Sequence, residues 1–159
     1  MHDQQGLTLV ELMVTLTVLA FLLLAGLPSM GQWMRNSQIR TVAESLQSGL
    51  TKARNEAVRR NVRVLFSLVS STNSTSCVLS STSGSWMVSL QSPEGHCDAA
   101  NSEATTPMAL QRWAQSEGSA DVTVQVRSAD CSSNATQTQV QFDGFGRVNT
   151  SVTPLRCIV

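Results

Sequence analysis

Residues 6–28 read GLTLVELMVTLTVLAFLLLAGLP, and this stretch decides the architecture. From Leu7 to Leu27 it is almost wholly apolar, with a few Thr, Gly26 and one charge, Glu11. A helix rises ~1.5 Å per residue, so this run reaches ~31 Å, the thickness of a bilayer core. A secretory signal peptide would start basic, carry a shorter apolar run and end in a small-residue cleavage site. Leu27-Pro28-Ser29 offers no such site. The processing point therefore falls before the run, between Gly6 and Leu7. The expected segments are a leader 1–6, a membrane-spanning helix 7–28, its amphipathic continuation 29–61 and a β-rich head 62–159.

A carboxylate inside a bilayer costs several kcal/mol and is usually retained because something pairs with it. Cleavage after Gly6 would create a positive α-amino group on Leu7. In an assembly of such helices, Glu11 of one chain could neutralise Leu7 of its neighbour. Equally, Glu11 could snorkel into lipid headgroups, and spacing alone leaves both open.

Beyond Pro28 the apolar positions become periodic. Ile39, Val42, Ala43, Leu46, Leu50, Ala53 and Ala57 recur at three- and four-residue steps, which is one stripe of an amphipathic helix. The helix is expected to run to about Arg60 and to pack this stripe on a sheet. Lys52, Glu56, Arg59 and Arg60 lie on another face, with Glu56 four residues before Arg60 in the favourable order. That face is expected to meet solvent or a neighbouring chain.

The formal net charge is zero, but the charge is unevenly placed. Between Arg35 and Arg63 seven basic residues face only Glu44 and Glu56; from Val64 onward four basic residues face seven acidic ones. A basic helix invites a nucleic-acid reading. A solvated face or a contact between chains needs no accessible cluster of cations and is favoured.

Strand signals follow the helix. Val62, Val64, Phe66 and Leu68 alternate along one stretch. Trp86, Val88 and Leu90 share a face, as do Val122, Val124 and Val126. Val140 and Phe142 precede an Asp143-Gly144 turn, and Val148 follows it. Ser and Thr fill eleven of the sixteen positions from Ser70 to Ser85, which predicts loop and edge strand. Pro93 to Pro107 reads as loop, and Trp86 and Trp113 as core. Short strands separated by turns point to antiparallel sheet rather than βαβ units. The fold class is α+β, with a long N-terminal helix packed on a largely antiparallel sheet.

Cys77, Cys97, Cys131 and Cys157 all lie beyond the apolar segment, as suits two disulfides in an exported domain. Zinc would need ligand pairs at the right spacing, and only His96 and Cys97 come near. Four cysteines allow three pairings. The shortest loops come from Cys77–Cys97 and Cys131–Cys157, and this is the expected pairing. No cofactor is expected, nor is catalysis. His96 is the one histidine left after the leader, it lies in a loop, and nothing would activate a serine.

Gly6-Leu7-Thr8-Leu9-Val10-Glu11-Leu12 resembles the class III signal of type IV pilins and type II secretion pseudopilins. The resemblance covers roughly Gly6 to Pro28, with Leu7 where that family usually has Phe and a leader without Lys or Arg. It implies cleavage after Gly6 by prepilin peptidase, N-methylation of Leu7 and a role for Glu11 in assembly. It also implies a helix bend near Pro28 and, in many pilins, a C-terminal disulfide. Lys52–Asn61 with the following strand, and Phe142–Val148, are similar to the GspH/FimT branch of that superfamily. The resemblance implies a single-pass inner-membrane protein with a periplasmic head, later incorporated into a pilus or pseudopilus. Its partners would be other minor and major pilins.

Two functions follow. The first is structural, a minor pilin or pseudopilin at or near a filament tip that helps start assembly. The second is DNA uptake in natural transformation, since some FimT proteins bind DNA through a C-terminal Gly-Arg-x-Arg element. This chain has Gly146-Arg147-Val148-Asn149, so the resemblance implies Arg147 as the DNA contact, with Arg156 as a substitute for the missing second Arg. Each lost cation removes one counterion-release contribution, and the structural role is the preferred expectation.

Overall fold

The computed structural model describes residues 8–119, 121–150 and 155–159, except the side chains of 25–29. The leader and the Gly6-Leu7 junction lie outside the described residues. Helix α1 is Leu9–Arg60, followed by strands β1 Val64–Leu68, β2 Trp86–Ser89, β3 Ala109–Trp113, β4 Val126–Arg127, β5 Gln139–Phe142 and β6 Cys157–Ile158. Two compact units divide the chain, Met1–Ser37 and Gln38–Val159.

In the first unit, Thr8 opens the helix. Its Oγ1 accepts the Glu11 backbone N–H at 3.3 Å, satisfying one of the donors that a helix start leaves free. Every described side chain from Thr8 to Leu24 is exposed. Among the described residues no helix is long and apolar enough to cross a membrane. The part of the apolar run with described side chains, residues 8–24, is shorter than the ~20 residues a span needs. Pro28 falls within the bounds of α1, but its side chain lies outside the described ones.

The second unit holds every strand. Its four-stranded sheet has the order β3-β2-β1-β5, and all its pairings are antiparallel. Period-two alternation explains its layers. Val64, Phe66 and Leu68 of β1, Trp86 and Val88 of β2, and Val140 and Phe142 of β5 face the helix stripe Val42, Leu46, Ala53 and Ala57 in the main core. On the opposite side of the sheet, Met87 joins Val69, Ala109, Cys77 and Cys97 in a smaller core. Hence β2 is buried along its whole length rather than alternating, because both faces are covered.

The stripe closes on the sheet through Gly49. A Cβ there would lie 2.7 Å from Phe66 Cε2 and 3.0 Å from Trp86 Cδ2. Gly49, Ala53 and Ala57 are spaced by four, and these small residues let the helix backbone approach the two rings. Ile39 and Ala43, expected in the stripe, are exposed at its N-terminal end.

Three expectations need correction. Of Val122, Val124 and Val126, only Val126 belongs to a strand. Upstream, the Val122 carbonyl is taken by the Gln115 side-chain amide, and a side chain that satisfies a backbone group competes with a ladder. Second, β3 has no counterpart in the expected strands, because Ala109–Trp113 carries Gln111 and Arg112 and lacks a run of β-branched residues. Third, Glu56 is not a solvent-facing residue. It is 6% exposed.

Candidate functional site

The two stretches that resembled one branch of a superfamily meet in space. Helix α1 ends at Arg60, and Asn61 takes a positive φ of 52°, a left-handed exit that Asn tolerates. The turn after β5 docks against this exit. A Cβ on Gly144 would collide with Asn61 Oδ1 and lie 3.0 Å from the Asn61 backbone carbon. Gly146 has φ +73° and lies against Val58 and Arg54 of the helix, so a Cβ there would come within 2.9 Å of Val58 Cγ2. A side chain at either glycine would push the turn off the helix end.

Asp143 organises the turn. Its Oδ1 accepts the backbone N–H of Phe145 at 3.0 Å and of Arg147 at 2.9 Å. The Arg147 side-chain Nε lies 3.4 Å from Asp143 Oδ2. The two N–H donors, that of Arg147 foremost, hold the Asp143 carboxyl below its ordinary range. Phe145 is left 75% exposed, and the Arg147 guanidinium sits over its ring at 5.1 Å, a cation–π contact. Asn149, where a second Arg was sought, donates its side-chain amide to Gln141 Oε1 at 2.5 Å. The surface presented is the exposed Phe145 ring with Arg147 over it, next to Gly146 seated on Val58 and Arg54.

Next to this turn stands the Glu56 cluster. Glu56 is engaged by Lys52 at 3.0 Å, Arg59 at 2.6 Å and Arg60 at 2.8 Å. Arg60 also reaches Glu103 at 2.6 Å, tying the helix end to the loop between β2 and β3. These donors, Arg60 first, hold the Glu56 carboxyl at about 2, against the opposing effect of burial. Arg60 correspondingly holds its proton more tightly, with Glu103 the largest cause.

The structure pairs Cys77 with Cys97 and Cys131 with Cys157. The first bond lies in the smaller core, where Arg112 Nη1 donates to the carbonyls of Cys97 and Ala99 at 3.2 Å each. Arg112 is a structural residue that sequence reasoning passed over, since nothing local marks an arginine as a loop clasp. The second bond joins the loop after β4 to β6.

Glu11 stands exposed in the first turn of α1, where a negative charge suits the helix dipole. Leu7, its proposed partner, lies outside the described residues, as does Gly6. Arg156 does not join Arg147; it lines a separate cleft with Arg127 and Ser128. His96 is exposed, its Nδ1 3.2 Å from the Glu94 carbonyl. Among the described residues no three His, Cys, Asp or Glu groups gather as metal ligands.

Comparison with known proteins gives two matches. The family model described as type II transport protein GspH matches residues 42–157. The model described as the prokaryotic N-terminal methylation motif matches residues 1–27. No curated protein and no solved structure matches.

Proposed function

Because the chain belongs to the type II transport protein GspH family, and is thus a type IV pilin-like minor pilin or pseudopilin, we propose that it sits at or near a filament tip and helps start assembly there. The observation that carries this reading is the N-terminal methylation motif followed by a helix whose side chains from Thr8 to Leu24 are all exposed. So much uncovered apolar surface requires a partner. A bilayer covers it before assembly, with 7–28 as a single span and the head in the periplasm. The helices of neighbouring pilins cover it afterwards. Prepilin peptidase cuts between Gly6 and Leu7, Leu7 is N-methylated, and Glu11 pairs with the Leu7 amine of an adjacent subunit. The role is structural, with no catalytic step.

A deletion strain tests this reading, scored separately for surface pili, secretion and DNA uptake. Loss of pili or of secretion supports it. Normal pili and secretion with uptake lost would sink it in favour of DNA binding. Mass spectrometry of the membrane protein should find an N-terminus at methylated Leu7; an intact Met1 would refute the processing.

The DNA reading draws on the exposed Arg147–Phe145 pair, since a cation beside an open ring suits phosphate and base together. Asp143 offsets Arg147, and Asn149 supplies no second cation. Duplex binding should therefore be weak, independent of sequence and steeply salt-dependent. Titrations of wild type, Arg147→Gln and Asn149→Arg at two salt concentrations decide it. Asn149→Arg should steepen the salt slope by about one unit. No binding by any of the three at low salt removes this reading.

A further inference from the structure

Arg127 ends β4, and Arg156 directly precedes β6. Both line a cleft of about 510 Å³ together with Ser128, Asn134 and Gln137. The Cys131–Cys157 bond and the Arg127–Cys157 register of β4 and β6 hold its two walls together. Neither arginine belongs to any of the ion pairs among the described residues. Arg156 is exposed. Arg127 is half-buried, and its Nε–H is buried without an acceptor. Among the described residues its side chain makes one hydrogen bond, a long one from Nη2 to Gln125 Oε1 at 3.4 Å.

A buried donor without an acceptor is a standing cost, and one left in a native structure asks for an explanation. The guanidinium is a planar fork that matches an oxyanion with two oxygens. The nearest acid in sequence is already engaged. Asp130 takes hydrogen bonds from the Ser128 hydroxyl and from Ser132 Oγ at 2.7 Å, and these keep it ionised down to about pH 2. It therefore stands beside the cleft as a fixed negative charge bound to a lining serine.

We infer that this cleft is a binding site for a single carboxylate presented by a partner polypeptide, held between the guanidinium groups of Arg127 and Arg156. A nucleic acid fits less well. Its affinity rests on many phosphate contacts, and two cations supply little counterion release. One Glu or Asp on an otherwise neutral surface segment needs no more than these two. The site shares no residue with the Arg147 turn.

The test uses the full chain in non-ionic detergent and the peptide acetyl-Ala-Glu-Ala-amide. The neutral acetyl-Ala-Gln-Ala-amide at equal ionic strength is the control, and inorganic phosphate is a second arm. The readout is the NMR shift of the Arg127 side-chain Nε–H and the Ser128 amide. The Glu peptide should shift both saturably, with a midpoint on the order of millimolar for so small a ligand, and the Gln peptide should shift neither. Arg127→Gln and Arg156→Gln should each weaken binding by about tenfold or more, the loss of one charge-assisted partner. Arg156 is exposed and makes no ion pair among the described residues, so Arg156→Gln folds normally and its loss of binding reports on the site. No saturable shift, equal response to the Gln peptide, or unchanged binding by Arg156→Gln would overturn the inference. Phosphate binding tenfold tighter than the Glu peptide would overturn it too, reassigning the cleft to a phosphate-bearing ligand.

Discussion

Replacing Gly49 by Ala sets two effects of known size against each other. In a helix interior, Ala is favoured over Gly by about 1 kcal/mol, so on propensity alone Gly49→Ala should stabilise the protein. The new methyl would stand 2.7 Å from Phe66 Cε2 and 3.0 Å from Trp86 Cδ2 and Cε2. Phe66 is 0% and Trp86 1% exposed, and the rings lie against each other with centroids 5.7 Å apart, so neither can swing aside into solvent. Overpacking of this kind costs about 1–3 kcal/mol, and two immobile rings place it in the upper half of that range. The net effect is a loss of about 1–2 kcal/mol. For a folded unit of this size that lowers Tm by roughly 4–8 °C. Urea unfolding of the full chain in non-ionic detergent, followed by tryptophan fluorescence, should show a lower midpoint with an unchanged slope. Gly31→Ala is the control. It lies in the same helix with nothing within 4 Å of its Cβ position, so it should not lower the midpoint. A Gly49→Ala variant more stable by about 1 kcal/mol would refute the close approach of helix and rings.

Three further outcomes follow from other parts of the molecule. Glu56 in the folded state holds its carboxyl near 2, below its unfolded value of 4.5, so its stabilisation is present above about pH 4.5 and is lost as pH falls toward about 2. The Lys52 and Arg59 side chains are 43% and 64% exposed, so solvent screening reduces this contribution to about 1 kcal/mol; Glu56→Gln should lower stability at pH 7 and flatten the acid limb, and an unchanged acid limb would contradict the cluster. Glu11→Ala leaves the Thr8 cap intact, because that bond uses the Glu11 backbone N–H, so the variant should enter the membrane normally yet be poorly incorporated into filaments; normal incorporation in immunogold-labelled filaments would make Glu11 a bystander. The double variant Cys131→Ser/Cys157→Ser opens a bridge of sequence separation 26, for which loop entropy predicts a loss of about 3–4 kcal/mol in denaturant unfolding; a loss below about 1 kcal/mol would show that β6 is held by its other contacts.

What the sequence determined by itself was local or periodic. The apolar run from Leu7, the 3.6-residue stripe from Val42 to Ala57, the helix end at Arg60 and the alternating strands around Phe66 and Phe142 each depend on neighbours a few residues apart. So do the Gly6–Glu11 and Lys52–Asn61 patterns. The cysteine count spoke for two disulfides, while the pairing became a physical fact only where the folded chain brought Cys131 beside Cys157. The tertiary structure alone decided the rest. It tied the distant Glu103 to Arg60 beside the buried Glu56 and made a strand of the polar stretch Ala109–Trp113 by offering it the free edge of β2. It also set the Gly144–Gly146 turn against Asn61 and Val58, parted Arg156 from Arg147, and placed Arg156 beside Arg127. Each of these outcomes joins residues far apart in the chain. Their energies depend on which groups share buried space and hydrogen-bond partners after folding, and residue order carries no local record of that.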